Sequence, residues 1–250
     1  MMERRWAEAD SAYHAKILDA LEPDPPALLL DLGCDDGAWT EELARKLDVL
    51  SDQVHGLELV AERAALARDR GFEVHVGDID DPWPFDDDMF DVVHANQVIE
   101  HVQRLDHFMR ELRRVLAPGG LAVVCTENLA SWHNVGALAL GYQPFSLTNV
   151  SDVRPIGNRF ALHAGEEPTY ESWQHVHVLT LAGLRDIFAA HGLDVADSWG
   201  TGYYPFPQRV AKYLSARDAR HAHFIGVVAR APRRRRRQRA AATAVGLRNK

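Results

Sequence analysis

"LLLDLGCDDG", residues 28–37, decides the fold of this 250-residue chain. Leucines run into Asp31, Leu32 and Gly33, and a second glycine, Gly37, follows four residues later. A short apolar run bounded by glycine reads as a buried strand. Glycines at both ends of the next stretch let the backbone turn tightly and approach a ligand closely. "WTEELARKL" then reads as a helix, so the turn opens onto free helical N–H groups that favour a carboxylate or phosphate. Asp35 sits mid-turn, where a third glycine would be the easier choice. Asp is among the better non-glycine residues for a left-handed backbone, so the turn is expected to survive it.

Outward from the turn, strand-like and helical runs alternate. "VHGLEL" (54–59), "EVHVGD" (73–78), "FDVVHAN" (90–96) and "LAVVCTEN" (121–128) are strands. "VAERAALARDRG" and "LDHFMRELRRVLAPGG" are helices, the second stopped by Pro118-Gly119-Gly120. "TLAGLRDIFAAHG" is a helix with Thr180 as N-cap and Gly192 as its stop. "LDVADSW" (193–199) and "AHFIGVVARA" (222–231) complete the sheet, and an amphipathic helix over residues 3–21 precedes it. This alternation points to an α/β fold with a mostly parallel sheet covered by helices.

Residues 127–179 break the rhythm. They are rich in Trp, His, Tyr and Asn with no clean period, as expected of a functional insertion or cap after the fifth strand. The expected division is one domain over residues 1–232: a ligand-binding half at 27–126, the cap at 127–179 and a closing half at 180–232. Residues 233–250 hold eight of the 28 bases and none of the 36 acids, so the body carries −16 and the tail +8. Such a tail reads as a disordered basic extension, with weak nucleic-acid contact as its sharper alternative. No apolar run is long enough to span a membrane and no apolar leader is visible, so the expectation is a cytoplasmic protein. Cys34 and Cys125 lie in separate apolar runs and read as buried thiols.

In a doubly wound sheet, ligands lie beyond the carboxyl ends of the strands. Glu58, 21 residues after Gly37, ends the second strand, where an acid can accept both hydroxyls of a ribose. Asp78 ends the third and can accept from an adenine amino group. A dinucleotide site would show G-x-G-x-x-G, which this turn lacks.

The turn resembles the first motif of class I S-adenosylmethionine-dependent methyltransferases of the small-molecule type. The resemblance runs over residues 27–126. It includes "GLEL", "VGDIDDPWPFDDDMFDVV", "QVIEHV" and "LRRVLAPGGLAVV" in family order. It implies a Rossmann-like sheet of seven strands with the last antiparallel, and S-adenosylmethionine as cofactor. It further implies that Asp31 and the turn Gly33, Cys34, Asp35 and Gly37 hold the methionine end of the cofactor. Glu58 takes the ribose, Leu59 packs on the adenine, and Asp78 and Ile79 address its edge. Asn96 and Gln97 line the floor beneath the sulfonium. An acid at Asp35 could favour the cofactor's positive charges. The N-terminal helix, through Trp6 and Tyr13, is expected to close over the cofactor.

Methyl transfer needs a general base only when the nucleophile holds a proton near neutral pH. His101 in "IEHV" follows the fourth strand. His175 and His177 in "QHVHVLT" share a face if extended. These three are the catalytic candidates, each with a purely structural role as its alternative. Some class I members, among them small-RNA 2′-O-methyltransferases and quinone-pathway O-methyltransferases, hold a divalent metal with E-x-x-E-H and a distant His. Here Gln97 replaces the first acid, and losing an anionic ligand weakens a hard-cation site, so no metal is expected. Trp132, His133, Tyr142 and Tyr203 are candidates for the acceptor wall, or for a small second core. The expected reaction is methyl transfer to an O or N nucleophile of a small-molecule acceptor. The rivals are an RNA or protein methyltransferase guided by the tail, and a non-catalytic binding relative.

Overall fold

The sheet is built on strands whose alternate residues serve opposite layers. In a computed structural model, which describes residues 12–161 and 174–233, these are β1 (Leu29–Leu32), β2 (Val54–Glu58), β3 (Glu73–Val76), β4 (Phe90–Asn96), β5 (Leu116–Glu127), β6 (Asp194–Thr201) and β7 (Phe224–Arg230). They form one seven-stranded sheet in the order β3-β2-β1-β4-β5-β7-β6. β7 runs antiparallel to both its neighbours, and the remaining pairs are parallel. The expected α/β architecture with its antiparallel last strand is thus what the chain adopts.

Period-2 alternation divides the core. Leu30, Leu32, Val93, Ala95, Ala122 and Val124 face one layer. There they meet Phe108, Met109 and Leu112 of α4 (Leu105–Val115), and Leu184 and Phe188 of α6 (Leu181–Ala190). Leu29, Val54, Val92 and Val123 face the other, against Leu43 and Leu47 of α2 (Ala38–Leu47) and Ala64 and Ala67 of α3 (Ala61–Asp69). Residues 12–19 are helical (α1) and add Tyr13 and Ile17 to this second layer. Tyr13 is buried in the core and packs against Phe224 with ring centroids 4.6 Å apart. Trp6 and the rest of the expected first helix lie outside the described residues.

Several boundaries differ from the sequence reading. α4 ends at Val115, and Leu116 is already extended and pairs with Phe90, so β5 begins before Pro118. The glycines there extend the ladder towards β7: the Gly119 N–H donates to the Ala231 carbonyl, and the Ala231 N–H to Gly120. The cap holds a short helix, α5 (Trp132–Ala139), and α7 (Gln208–Ser215) fills the β6–β7 connection. Thr180 caps α6 as expected, its hydroxyl accepting from the Gly183 N–H at 3.1 Å, and Gly192 follows that helix at φ 74°. Cys34 and Cys125 are buried free thiols. Among the described residues no helix is long and apolar enough to cross a membrane. The basic run from residue 234 onward lies outside the described residues.

The chain leaves β1 for β2 and β3, then crosses back to β4 on β1's other side. The carboxyl ends of β1 and β4 therefore flank the switch point, where such sheets bind ligands. β5 ends on the same edge, and antiparallel β7 begins there, with Glu127 opposite Phe224.

Candidate functional site

Beyond β1, Gly33, Asp35 and Gly37 all adopt positive φ, at 67°, 51° and 77°. A Cβ on Gly33 would lie 2.7 Å from Val98 Cγ2, and one on Gly37 3.0 Å from Ala67 Cβ, so neither position has room for a side chain. The Asp35 question raised by the sequence has a local answer. Asp35 takes the left-handed backbone, its N–H donates to Glu58 Oε2 at 3.0 Å, and its carboxylate turns out onto the Arg63 guanidinium. Hydrogen bonding from Arg63 holds that carboxyl below the usual range. Its charge is therefore matched within the chain by Arg63.

Asp31 is buried and fully used. Thr40 Oγ1 donates to one oxygen at 2.5 Å, and His94 Nδ1 lies 2.7 Å from the other. Trp39 Nε1 donates to His94 Nε2 at 3.5 Å, which leaves Nδ1 as the nitrogen that donates to Asp31. Glu58 accepts from Asp35 and, at 2.9 Å, from the Val60 N–H. Cys34 is buried in the turn, and burial, then Asp31 and Glu58, push its thiol upward. Leu59 is half-buried. Asp78 is exposed and accepts from the Asp80 N–H at 2.9 Å. Ile79 packs on the core beside Trp83. After β4, Asn96 Oδ1 is buried without a hydrogen-bond partner, and Gln97 turns the chain at φ 54°. The structure thus brings Asp31, the glycine turn, Glu58, Asn96 and Gln97 to one edge of the sheet.

Farther along that edge a second group gathers. One donor atom from each of Glu100, His101 and His175 falls within 4.8 Å of the others. His175 arrives from far along the chain because the Val176 and His177 N–H groups both donate to the Glu100 carbonyl, at 2.7 and 3.1 Å. His101 Nδ1 lies 2.9 Å from the Gln174 carbonyl, and His175 Nδ1 2.8 Å from the Ser146 carbonyl. A carbonyl only accepts, so in each ring Nδ1 bears a proton, and in the neutral form of the ring Nε2 carries the lone pair. Glu100 is fully buried. Thr126 Oγ1 donates to its Oε2 at 2.9 Å, while Oε1 has no hydrogen-bond partner. Burial pushes its carboxyl up to about 7. His177 does not join this group: its Nε2 lies 3.5 Å from the Gln103 carbonyl.

Gln97 was the ground for expecting no metal. The remaining positions of that pattern nevertheless converge. An orphaned, buried carboxylate oxygen beside two lone-pair imidazole nitrogens fits a divalent cation of borderline hardness.

The acceptor-wall candidates divide. Trp132, His133 and Tyr142 line a groove of about 310 Å³ with Phe145, Phe160 and Tyr204. Tyr203 does not: it is buried against Ala211 and Ala222, with its hydroxyl donating to the Asp218 carbonyl. Its neighbour Tyr204 takes the groove position assigned to it. Two residues missed by the sequence reading connect this groove to the histidine group. Glu127 ends β5, with Oε2 3.8 Å from His175 Nδ1 and Oε1 4.0 Å from His223 Nε2. His223 packs edge-to-face on His133, with ring centroids 4.6 Å apart. The signal was available, since Glu127 is an acid at a strand's carboxyl end, as Glu58 and Asp78 are.

Residues 4–198 match the model of a methyltransferase domain family. Over 218 residues the chain is 28% identical to a ubiquinone biosynthesis O-methyltransferase of Methylobacterium, covering 84% of this chain and 76% of that one. The mitochondrial ubiquinone biosynthesis O-methyltransferase of Rattus norvegicus is 27% identical over 187 residues, covering 71% of this chain. The match takes in 47% of the rat protein, so the chain spans about half the length of that relative. Its fold resembles the methyltransferase in the Haloferax volcanii complex with the activator Trm112. That match has a TM-score of 0.61 at 19% identity and covers 94% of this chain and 92% of that one. The glycine turn, the acids beyond β1 and β2 and the seven-stranded sheet agree with that match, and the chain belongs to the S-adenosylmethionine-dependent methyltransferase family.

Proposed function

We propose that the chain transfers a methyl group from S-adenosylmethionine to an oxygen of a small, largely apolar acceptor. The observation that carries this reading is a continuous edge of functional groups. It runs from the Gly33–Gly37 turn through Asn96, Glu100 and His175 to the aromatic groove. When bound, the cofactor supplies both the methyl group and its leaving group. The chain then has three tasks: to align, to exclude water and to receive a proton. Gly33 and Gly37 let the turn pack against Val98 and Ala67 and present its backbone to the methionine end, and Asn96 Oδ1 offers a buried acceptor to its ammonium. Glu58 can still accept from the ribose, because each carboxylate oxygen keeps a lone pair beyond its backbone partner.

The groove takes the acceptor's apolar body between aromatic rings. The acceptor hydroxyl lies at the Glu100–His101–His175 group, where an unprotonated Nε2 can receive its proton. A divalent cation held by these residues would occupy those lone pairs and act in place of the base, lowering the hydroxyl's pKa and orienting it. An oxygen acceptor is favoured by the two ubiquinone O-methyltransferases described above, which match over 71% and 84% of this chain, and a small one by the body's acidity, which repels phosphate backbones.

The test has two stages. S-adenosylhomocysteine and S-adenosylmethionine, but not NADH, should raise the melting temperature by several degrees. A ligand at 100 times its Kd adds about 2.7 kcal/mol. A mixed panel of phenols, aliphatic alcohols and amines, read by product mass, should then give methyl ethers. Methylation confined to amines would refute the oxygen assignment. Stabilisation by NADH alone would refute the cofactor.

A further inference from the structure

Two carboxylates, Glu100 and Glu127, face one buried region, and among the described residues neither has an arginine or lysine ion-pair partner. Glu100 Oε1 and Glu127 Oε2 are both buried without hydrogen bonds. The groups facing Glu127 are imidazoles: His175 Nδ1 at 3.8 Å and His223 Nε2 at 4.0 Å. His175 Nδ1 already donates to the Ser146 carbonyl at 2.8 Å, so Glu127 stands behind that ring and not at its lone-pair nitrogen. His223 is buried and burial holds it towards its neutral form, so it brings no compensating charge. When both are ionised, two like charges with orphaned oxygens around one largely buried region are costly unless a cation joins them.

We propose that Glu127 supplies the second negative charge of a divalent-cation site whose ligands are Glu100, His101 and His175, in place of the charge that Gln97 does not provide. The inference rests on the cation reading above. With Glu100 as the one anionic ligand, a divalent ion would keep a net charge of +1. Glu127 behind His175 brings the buried group to neutrality. It acts on His175 as a positioning residue through its charge alone: the Nδ1–H goes to Ser146, and the carboxylate 3.8 Å behind the ring favours electron density at Nε2 and so makes it a better donor to the ion. Two imidazole nitrogens and one carboxylate select Mn²⁺, Fe²⁺, Co²⁺ or Zn²⁺ over Mg²⁺ or Ca²⁺. Position 97 and position 127 are therefore interchangeable sources of the same charge, one from the loop after β4 and one from the end of β5.

The experiment uses the full chain without an affinity tag, stripped with EDTA and titrated with Co²⁺ alone. Visible absorption and calorimetry are read together. Wild type should bind one Co²⁺, and Glu100→Gln should bind none at that site. Glu127→Gln should bind roughly 10–100-fold more weakly, and Glu127→Asp should keep most of the affinity. Adding Gln97→Glu to Glu127→Gln should restore it. Metal-free Glu127→Gln should melt at or above the wild-type temperature, since it loses an unpaired buried charge, and this shows that the variant folds. Glu127→Gln binding Co²⁺ as tightly as wild type overturns the role of Glu127 and leaves the cation site standing. Wild type binding no Co²⁺ overturns both, and leaves methyl transfer itself to be judged by the product assay.

Discussion

The carboxylates at the two ends of the site live differently. Beyond β1 and β2, Asp31 and Glu58 spend all four oxygens on partners from the chain: Thr40, His94 and two backbone N–H groups. After β4 and at the end of β5, Glu100 and Glu127 each keep one buried oxygen with no hydrogen bond. A buried polar atom left unpaired costs roughly 1–3 kcal/mol. The cofactor end is thus pre-organised by its own structure, while the acceptor end stores unsatisfied polarity that a ligand can relieve. Catalysis by alignment needs both: a rigid half to fix the methyl donor and a receptive half to take up varied acceptors.

This contrast can be broken by mutation, and the largest effect belongs to the paired end. Asp31→Ala strands His94 and Thr40 in the core and should cost about 3 kcal/mol, lowering the melting temperature by roughly 10 °C. A loss no larger than that of Glu127→Gln would erase the distinction. Gly33→Ala combines a positive φ with a Cβ 2.7 Å from Val98 Cγ2. Its backbone strain of roughly 1–2 kcal/mol should weaken S-adenosylhomocysteine about tenfold or more by calorimetry. At the receptive end, Tyr204→Ala should raise the acceptor KM about tenfold, one aromatic contact being worth roughly 1.4 kcal/mol, with the cofactor Kd unchanged. Tyr203→Phe is its sharpening control: about 1 kcal/mol of stability lost with the Asp218 hydrogen bond, and no change in KM. Asp35→Gly should be smallest. Relief of a left-handed backbone offsets loss of the exposed Arg63 pair, so cofactor affinity should stay within about threefold.

The sheet was legible because apolar strands and amphipathic helices alternate with clean stops at Gly71, Gly192 and the Thr180 cap. The Asp31–Gly37 turn was legible because its glycines are required by φ and by space. The cap was not. α7 is only eight residues long and packs just Ala211 and Leu214 on its small core, too short a stripe to stand out. In α5, Gly136 and three exposed apolar side chains (Trp132, Val135 and Leu138) obscure the period. His175 and His177 are equivalent in sequence, and backbone bonds to Glu100 decide which ring turns inward. Tyr203 and Tyr204 are likewise adjacent and alike, yet one became core and the other groove. Glu127 and His223 were hidden for a topological reason. Only once β7 is known to run antiparallel beside β5 does the start of one strand meet the end of the other.

The paired N–H bonds from Val176 and His177 to the Glu100 carbonyl have a consequence for redesign. They are made by main-chain atoms, so they remain available whatever stands at position 175, with the His175–Ser146 bond the contact a substitution gives up. That position is a socket: Asp, Cys or Glu can be set in it while the path stays anchored. A single-site library there would retune the chemistry at the end of β4 without rebuilding the scaffold that presents it.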